Sequence, residues 1–132
     1  MSEVAEQTRP RRSPLEDAQR RLGARMTERD GWTLAADYGD APAEYEAVRA
    51  GVGLVDLSSR GRVEVSGSES VMFLNGLITN DAKALAPGAW MAAAFPNVQG
   101  RLLAHARVAR RGDAFLSDTE PATSARVFQS LE

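Results

Sequence analysis

The stretch Val52–Lys83, VGLVDLSSRGRVEVSGSESVMFLNGLITNDAK, constrains the fold more than any other part of the chain. Arg62-Val63-Glu64-Val65 alternates polar and apolar residues, the pattern of a half-buried strand. Val52 to Leu57 reads as a short, buried-looking strand ahead of it. Ser58-Ser59-Arg60-Gly61 between them reads as a turn, with Gly61 as its flexible residue. Ser66 and Glu69 then have the spacing of a capping box. Val71, Met72 and Leu74 or Phe73 would bury the helix that follows, and Asn75-Gly76 would end it. The unit closes on Leu77-Ile78-Thr79-Asn80-Asp81, the most concentrated polar cluster of interest, where Asn80 or Asp81 opens a further turn.

Beyond Pro87-Gly88 the pattern is hairpin-like. Trp90 to Phe95 is strand-like, and Pro96-Asn97-Val98-Gln99-Gly100 holds the residues a hairpin connection wants. Arg101 to Arg110 is the longest strand candidate. Leu102, Ala104, Ala106 and Val108 lie on one face of it, and Arg101, Leu103, His105 and Arg107 on the other. Arg111-Gly112-Asp113 reads as a tight turn, and Ala114 to Ser117 as the returning strand. Thr119, Glu120 and Pro121 begin a last helix with Val127, Phe128 and Leu131 on its apolar side.

Upstream, residues 1–12 are polar, with Arg9, Arg11 and Arg12 beside Pro10, and read as a disordered, solvated tail. Residues 13–132 form the folded part. Ser13-Pro14-Leu15-Glu16 is a helix start with a capping box, after which Leu15, Ala18, Leu22 and Met26 share one helical face. Gly31-Trp32-Thr33-Leu34 suggests a short extended segment. Asp40 caps a second helix, Ala41 to Ala50, with Pro42 in its first turn and Gly51 past its end. Helices mixed with hairpin-connected strands give an α+β class with a mainly antiparallel sheet.

Composition narrows the function. The chain has 132 residues, enough for one ordinary domain, and 43% hydrophobic content, enough for a core. A net charge of −2 gives no basic excess for nucleic acid. No apolar run approaches the roughly 20 residues a membrane span needs, and the N-terminus lacks a secretory hydrophobic segment. A cytoplasmic protein is the expectation. The sequence has no cysteine and one histidine, which excludes thiolate metal sites, a cysteine nucleophile and a histidine-rich metal centre. Ser58 and Ser59 have no histidine or lysine near them in sequence, so serine nucleophile chemistry is not expected. Gly51-Val52-Gly53 lacks the third glycine of a dinucleotide fingerprint and reads as a helix end.

Leu54-Val55-Asp56-Leu57-Ser58 and Phe73-Leu74-Asn75-Gly76-Leu77-Ile78-Thr79-Asn80-Asp81 resemble the folate-binding superfamily. That superfamily holds the glycine-cleavage T-protein (aminomethyltransferase) and the YgfZ-type iron–sulfur maintenance proteins. The resemblance continues through Lys83-Ala84-Leu85-Ala86-Pro87-Gly88, is joined upstream by Tyr38-Gly39-Asp40 and Glu44-Tyr45, and covers about residues 14–131. Asn97-Val98-Gln99-Gly100-Arg101-Leu102 looks most like the YgfZ-type branch. The T-protein moves a methylene unit from an aminomethyl group on a lipoyl carrier to tetrahydrofolate. In that family a Gly-Gly-x-x-Asp-Asp segment supplies the catalytic aspartate. Here the corresponding stretch is Gly100-Arg101-Leu102-Leu103-Ala104-His105, and both aspartates are missing.

The resemblance implies tetrahydrofolate as ligand, contacted by Thr79, Asn80, Asp81 and Arg101, with no catalytic and no metal residue assigned. It implies the first portion of a longer fold, and hence a missing C-terminal half or self-association through an apolar patch at Val127, Phe128 and Leu131. The main functional expectation is a YgfZ-type folate-binding protein in iron–sulfur cluster maintenance. The alternatives are an aminomethyltransferase and an inactive remnant or interaction module. Simpler readings stand beside these. Asp81 can be the cap of the turn running to Leu85, a role compatible with ligand binding. Arg101 can be a surface charge, and His105 a solvated strand residue or a proton shuttle. Trp32 and Trp90 can pack in a core or at a rim, or stack on a pterin.

Overall fold

The computed structural model describes residues 9–131. They divide into two compact units, residues 1–59 and 60–132, of which residues 1–8 and 132 lie outside the description.

In the first unit the order is β1 (Arg11–Arg12), α1 (Glu16–Arg21), β2 (Arg25–Arg29), β3 (Trp32–Asp37) and α2 (Ala41–Ala50). The strands form one sheet in the order β1-β3-β2. β2 and β3 are antiparallel and joined through Asp30 and Gly31, both at positive φ (51° and 73°). β1 runs parallel to β3 over Arg11↔Trp32 and Arg12↔Thr33 only. The expected tail over 1–12 is thus ordered at its end: Arg11 donates from its backbone N to Gly31 O (2.8 Å) and lays its guanidinium 4.5 Å from the Trp32 ring centroid. Residues 1–8 of that tail lie outside the described residues.

α1 differs from its expectation. The helix begins at Glu16, and Glu16 pairs with Arg12 and Arg20 rather than closing a capping box. It ends at Arg21, so Met26 belongs to β2 and the expected apolar stripe never forms. The buried helix residues are Glu16 and Gln19, while Leu15 and Leu22 are exposed. α2 matches its expectation: Asp40 accepts from Ala43 N (3.0 Å), Pro42 sits in the first turn and Gly51 follows the end.

Val52–Leu57 is not a strand. It pairs with no neighbour in a ladder, and Val52, Leu54 and Val55 are exposed. An apolar run cannot become a buried strand without a partner edge and a face to cover it.

The second unit carries β4 (Gly61–Val65), α3 (Ser70–Asn75), β5 (Trp90–Pro96), β6 (Leu102–Arg111), β7 (Ala114–Thr119) and α4 (Pro121–Ser130). Its sheet is antiparallel throughout, in the order β4-β7-β6-β5. The alternation of β6 divides the sheet as its sequence predicts. Ala104, Ala106 and Val108 are buried, and His105 and Arg107 are exposed. Leu102, on the same face by alternation, is exposed at the strand end. The core gathers Leu74, Ile78, Ala82 and Leu85 from the α3 segment, Phe95 from β5, Phe115 from β7 and Val127 from α4. Full burial of such side chains contributes about 1.5–3 kcal/mol each.

Three local expectations change. Ser66 and Glu69 form no capping box; α3 starts after a turn in which Ser70 N donates to Gly67 O, with Gly67 at φ +112°. Met72 is exposed, and Leu74 and Val71 face the core. Gly61 is not a flexible turn residue but the first residue of β4, and its need for glycine is steric: a Cβ there would lie 2.2 Å from Ser124 Cβ of α4. The expected apolar patch on α4 is also reduced. Val127 is fully buried and Leu131 packs on the core, leaving Phe128 exposed.

Candidate functional site

The Thr79–Lys83 loop follows α3 and runs beside β5, which is an edge strand. Its polar side chains are engaged with that edge. Thr79 N donates to Ala94 O (3.0 Å), and Ala94 N donates back to Thr79 Oγ1 (3.0 Å). Asn80 Nδ2 donates to Ala92 O (3.0 Å). Thr79 and Asn80 therefore imitate a further strand and cover backbone groups that an edge would otherwise leave open. Asn80 Oδ1 also accepts from Asp81 N (2.9 Å).

Asp81 holds the next turn. Its Oδ1 accepts from Lys83 N (2.8 Å) and from Asn75 Nδ2 (3.2 Å), while Asn75 Oδ1 accepts from Ala82 N (2.6 Å). The Lys83 amide, then the Asn75 amide group, hold the Asp81 carboxyl below its ordinary range, with a smaller contribution from the Lys83 charge. The carboxylate is exposed and ionised, so it keeps acceptor capacity toward solvent. The cap reading of Asp81 is thus realised.

Arg101 sits in the β5–β6 connection. Asn97 organises that loop: its Oδ1 accepts from Gln99 N (3.0 Å) and Arg101 N (2.9 Å), and its own N donates to Arg101 O (2.8 Å). Gly100 takes φ +76°, a conformation that favours glycine. The Arg101 side chain has no hydrogen-bonding or ionic partner among the described residues and is exposed. Thr79 meets β5 at Ala94, and Arg101 closes the loop onto Asn97, three residues further along, or about 10 Å of strand. All four expected ligand residues lie along the β5 side of one sheet.

The sheet face opposite the core is open. A cleft of about 250 Å³ lies on it, lined by Trp90, Arg107, Ala109, Leu116 and Asp118. Trp90 is exposed on its rim rather than in a core. Asp118 accepts from Arg107 Nη2 (3.3 Å) and pairs with Arg60, which also reaches Glu120. His105 faces this side, opposite Ala94 of β5. Sequence reading passed over the Arg60–Asp118–Arg107 cluster, because its members become neighbours only when β4, β6 and β7 pair.

The first unit holds a second polar centre. Asp56 Oδ2 accepts from Ser13 Oγ and from Gln19 Nε2 (3.0 Å), and Oδ1 accepts from Ser58 N (2.9 Å). Burial pushes the Asp56 carboxyl up, but the donors from Ser13, Ser58 and Gln19 outweigh it and the net direction is down. A carboxylate inside the apolar run Leu54-Val55-Asp56-Leu57 was the signal for this centre. Among the described residues no group of three or more acidic or histidine side chains could hold a metal ion. Nor is any helix long and apolar enough to cross a membrane.

Residues 15–132 match the family model described as the GCVT N-terminal domain. The chain belongs to this family. Among curated GCVT-family proteins it is 44% identical over 78 residues to an aminomethyltransferase of Bacillus subtilis, and 39% identical over 93 residues to a probable aminomethyltransferase of Natronomonas pharaonis. These segments cover 59% and 70% of this chain, but only 22% and 26% of those relatives' own lengths. The fold is similar to part of the glycine cleavage system aminomethyltransferase T from Bartonella henselae, with a TM-score of 0.79 at 20% identity over 92% of this chain and 34% of that one. The α+β expectation agrees with this fold. The leaning of Asn97–Leu102 toward the YgfZ-type branch gains no support, since these relatives are named as aminomethyltransferases.

Proposed function

We propose that this chain is the tetrahydrofolate-binding portion of an aminomethyltransferase-type protein, acting in one-carbon transfer to folate. The family match over residues 15–132, with relatives named as aminomethyltransferases, carries this reading. It replaces iron–sulfur maintenance as the favoured role. The ligand is expected along the β5 side and open face of the second unit. There the Asp81 carboxylate offers an acceptor, the unpaired Arg101 guanidinium suits a folate glutamate carboxylate, and exposed Trp90 offers a stacking surface.

The Gly100–His105 stretch bears on whether chemistry accompanies binding. Ala104 is 3% exposed and points into the core, so of positions 104 and 105 only the side chain at 105 reaches the open face. The family carboxylate that manages a proton would stand there, and this chain has His105 instead. The reading is therefore folate binding without that carboxylate.

Calorimetric titration with tetrahydrofolate tests it. The expected result is saturable binding, weakened in Arg101→Ala and in Asp81→Ala, with Arg101→Ala leaving the melting temperature unchanged. A folded wild-type protein that releases no binding heat sinks the proposal.

A further inference from the structure

The buried row of β6 ends on a charge. Ala104, Ala106 and Val108 point into the core, and Arg110 continues their alternation. Its side chain therefore leaves the sheet on the face opposite His105 and Arg107. Neutral groups fix it there. Arg110 Nε donates to Gly112 O (3.1 Å) and Nη1 donates to Leu85 O (3.0 Å). The guanidinium lies 5.4 Å from the centroid of the fully buried Phe115 ring. Two carbonyls and a ring hold the planar fork in one orientation without cancelling its charge. Among the described residues no carboxylate pairs with Arg110, and its Nη2 has no hydrogen-bond partner. Arg110 is half-buried, and a cation in that position normally has a counter-charge.

The guanidinium borders a cleft of about 330 Å³, lined also by Gly67, Ser68, Ser70, Val71 and Asp113. The opposite charge is present on this lining. Asp113 stands in the two-residue turn between β6 and β7, and its carboxylate has no hydrogen bond or ion pair among the described residues. The other wall supplies hydroxyls. Ser68 Oγ has no partner among the described residues, and the buried Ser70 Oγ reaches only Asp113 O, at 3.5 Å, too long for a full hydrogen bond.

The cleft thus presents one unpaired charge of each sign. A simple anion drawn to Arg110 is opposed by Asp113, and a simple cation drawn to Asp113 is opposed by Arg110. A molecule that carries both signs satisfies both groups at once. Its charges must be close together, because one tight turn joins the two residues and Arg110 already reaches Gly112 within it. The volume, at the small end for a ligand pocket, suits a small molecule.

We propose that this cleft binds a small free α-amino acid as its zwitterion. The carboxylate meets Arg110 Nη2 and Ser68 Oγ, the ammonium meets the Asp113 carboxylate, and the side chain lies toward Val71. The site is on the sheet face away from the one proposed for folate, and the inference does not rest on that reading.

NMR titration of the intact chain with glycine and L-alanine tests this, with acetate, methylamine and 6-aminohexanoate as controls. Both amino acids should give saturable shifts at the amides of Ser68, Ser70 and Asp113. Each should bind roughly two- to fivefold more tightly than acetate or methylamine. Asp113→Asn, a substitution that an exposed turn accepts, should weaken glycine by a similar factor and leave acetate no weaker. Arg110→Lys keeps the charge but loses the fork, and should weaken glycine about tenfold. If that variant fails to fold, Asp113→Asn and the controls still decide. The proposal is overturned if neither amino acid binds or if the shifts map elsewhere. It is also overturned if acetate matches glycine, which makes the cleft a plain anion site, or if 6-aminohexanoate matches it, which places the two charges far apart.

Discussion

Thr79 and Asn80, expected as ligand contacts, also carry structure. Their side chains complete hydrogen bonds along the outer edge of β5, at Ala94 and Ala92. Thr79→Val and Asn80→Ala should each destabilise the protein by about 0.5–1.5 kcal/mol, measured by urea unfolding. The double variant should also self-associate through the uncovered edge, seen by light scattering. Asp81 makes a pH prediction with a definite sign. Its folded carboxyl lies below the ordinary value, so its contribution is complete above about pH 4 and is lost as pH falls through the folded value. Asp81→Asn keeps an acceptor but cannot titrate. Unfolding curves between pH 2 and 7 should show a shallower loss of stability on acidification in the variant; identical slopes would remove Asp81 from the account.

At the scale of the element, β4 against α4 is the contact most sensitive to one atom. The Gly61 Cα faces Ser124 of α4 with no room for a methyl group. Gly61→Ala should cost about 1–3 kcal/mol by overpacking. Ser124→Gly in the same chain should recover much of that loss, and thermal melts of the two singles and the double give the coupling. The β6 strand was legible because its period-two pattern coincides with burial on one face. The run Val52–Leu57 misled because composition reports hydrophobicity and not whether a partner edge exists. α1 misled for the opposite reason: its buried face is polar, with Glu16 held by two arginines and Gln19 by Asp56. No hydrophobic period can reveal such a face.

At the scale of the molecule, the two units differ in what holds them. The second has a continuous core under a four-stranded antiparallel sheet, whereas the first has polar burial and exposed apolar side chains. Hydrogen exchange should therefore be slowest in β5, β6 and β7 and close to unprotected rates across residues 32–57. Equal protection in both units would contradict this. Phe115→Ala, which empties a fully buried position, should cost about 3–5 kcal/mol, enough to unfold much of the second unit at room temperature.

The sequence by itself determined the α+β class, the second helix with its Asp40 cap, the β5–β6–β7 meander and the folate-binding superfamily, though not its branch, because these rest on local periodicity, turn chemistry and motif order. It also placed Thr79, Asn80, Asp81 and Arg101 close in chain order to the sheet that carries them. Tertiary structure alone decided three further things: the edge-covering use of Thr79 and Asn80, the steric demand on Gly61, and the assembly of Asp56 and Asp118 with partners 37 and 58 residues away (Gln19 and Arg60). Those outcomes depend on which strand edges stay open and which faces find cover. Both are set by contacts between segments distant in the chain, and no local pattern encodes them.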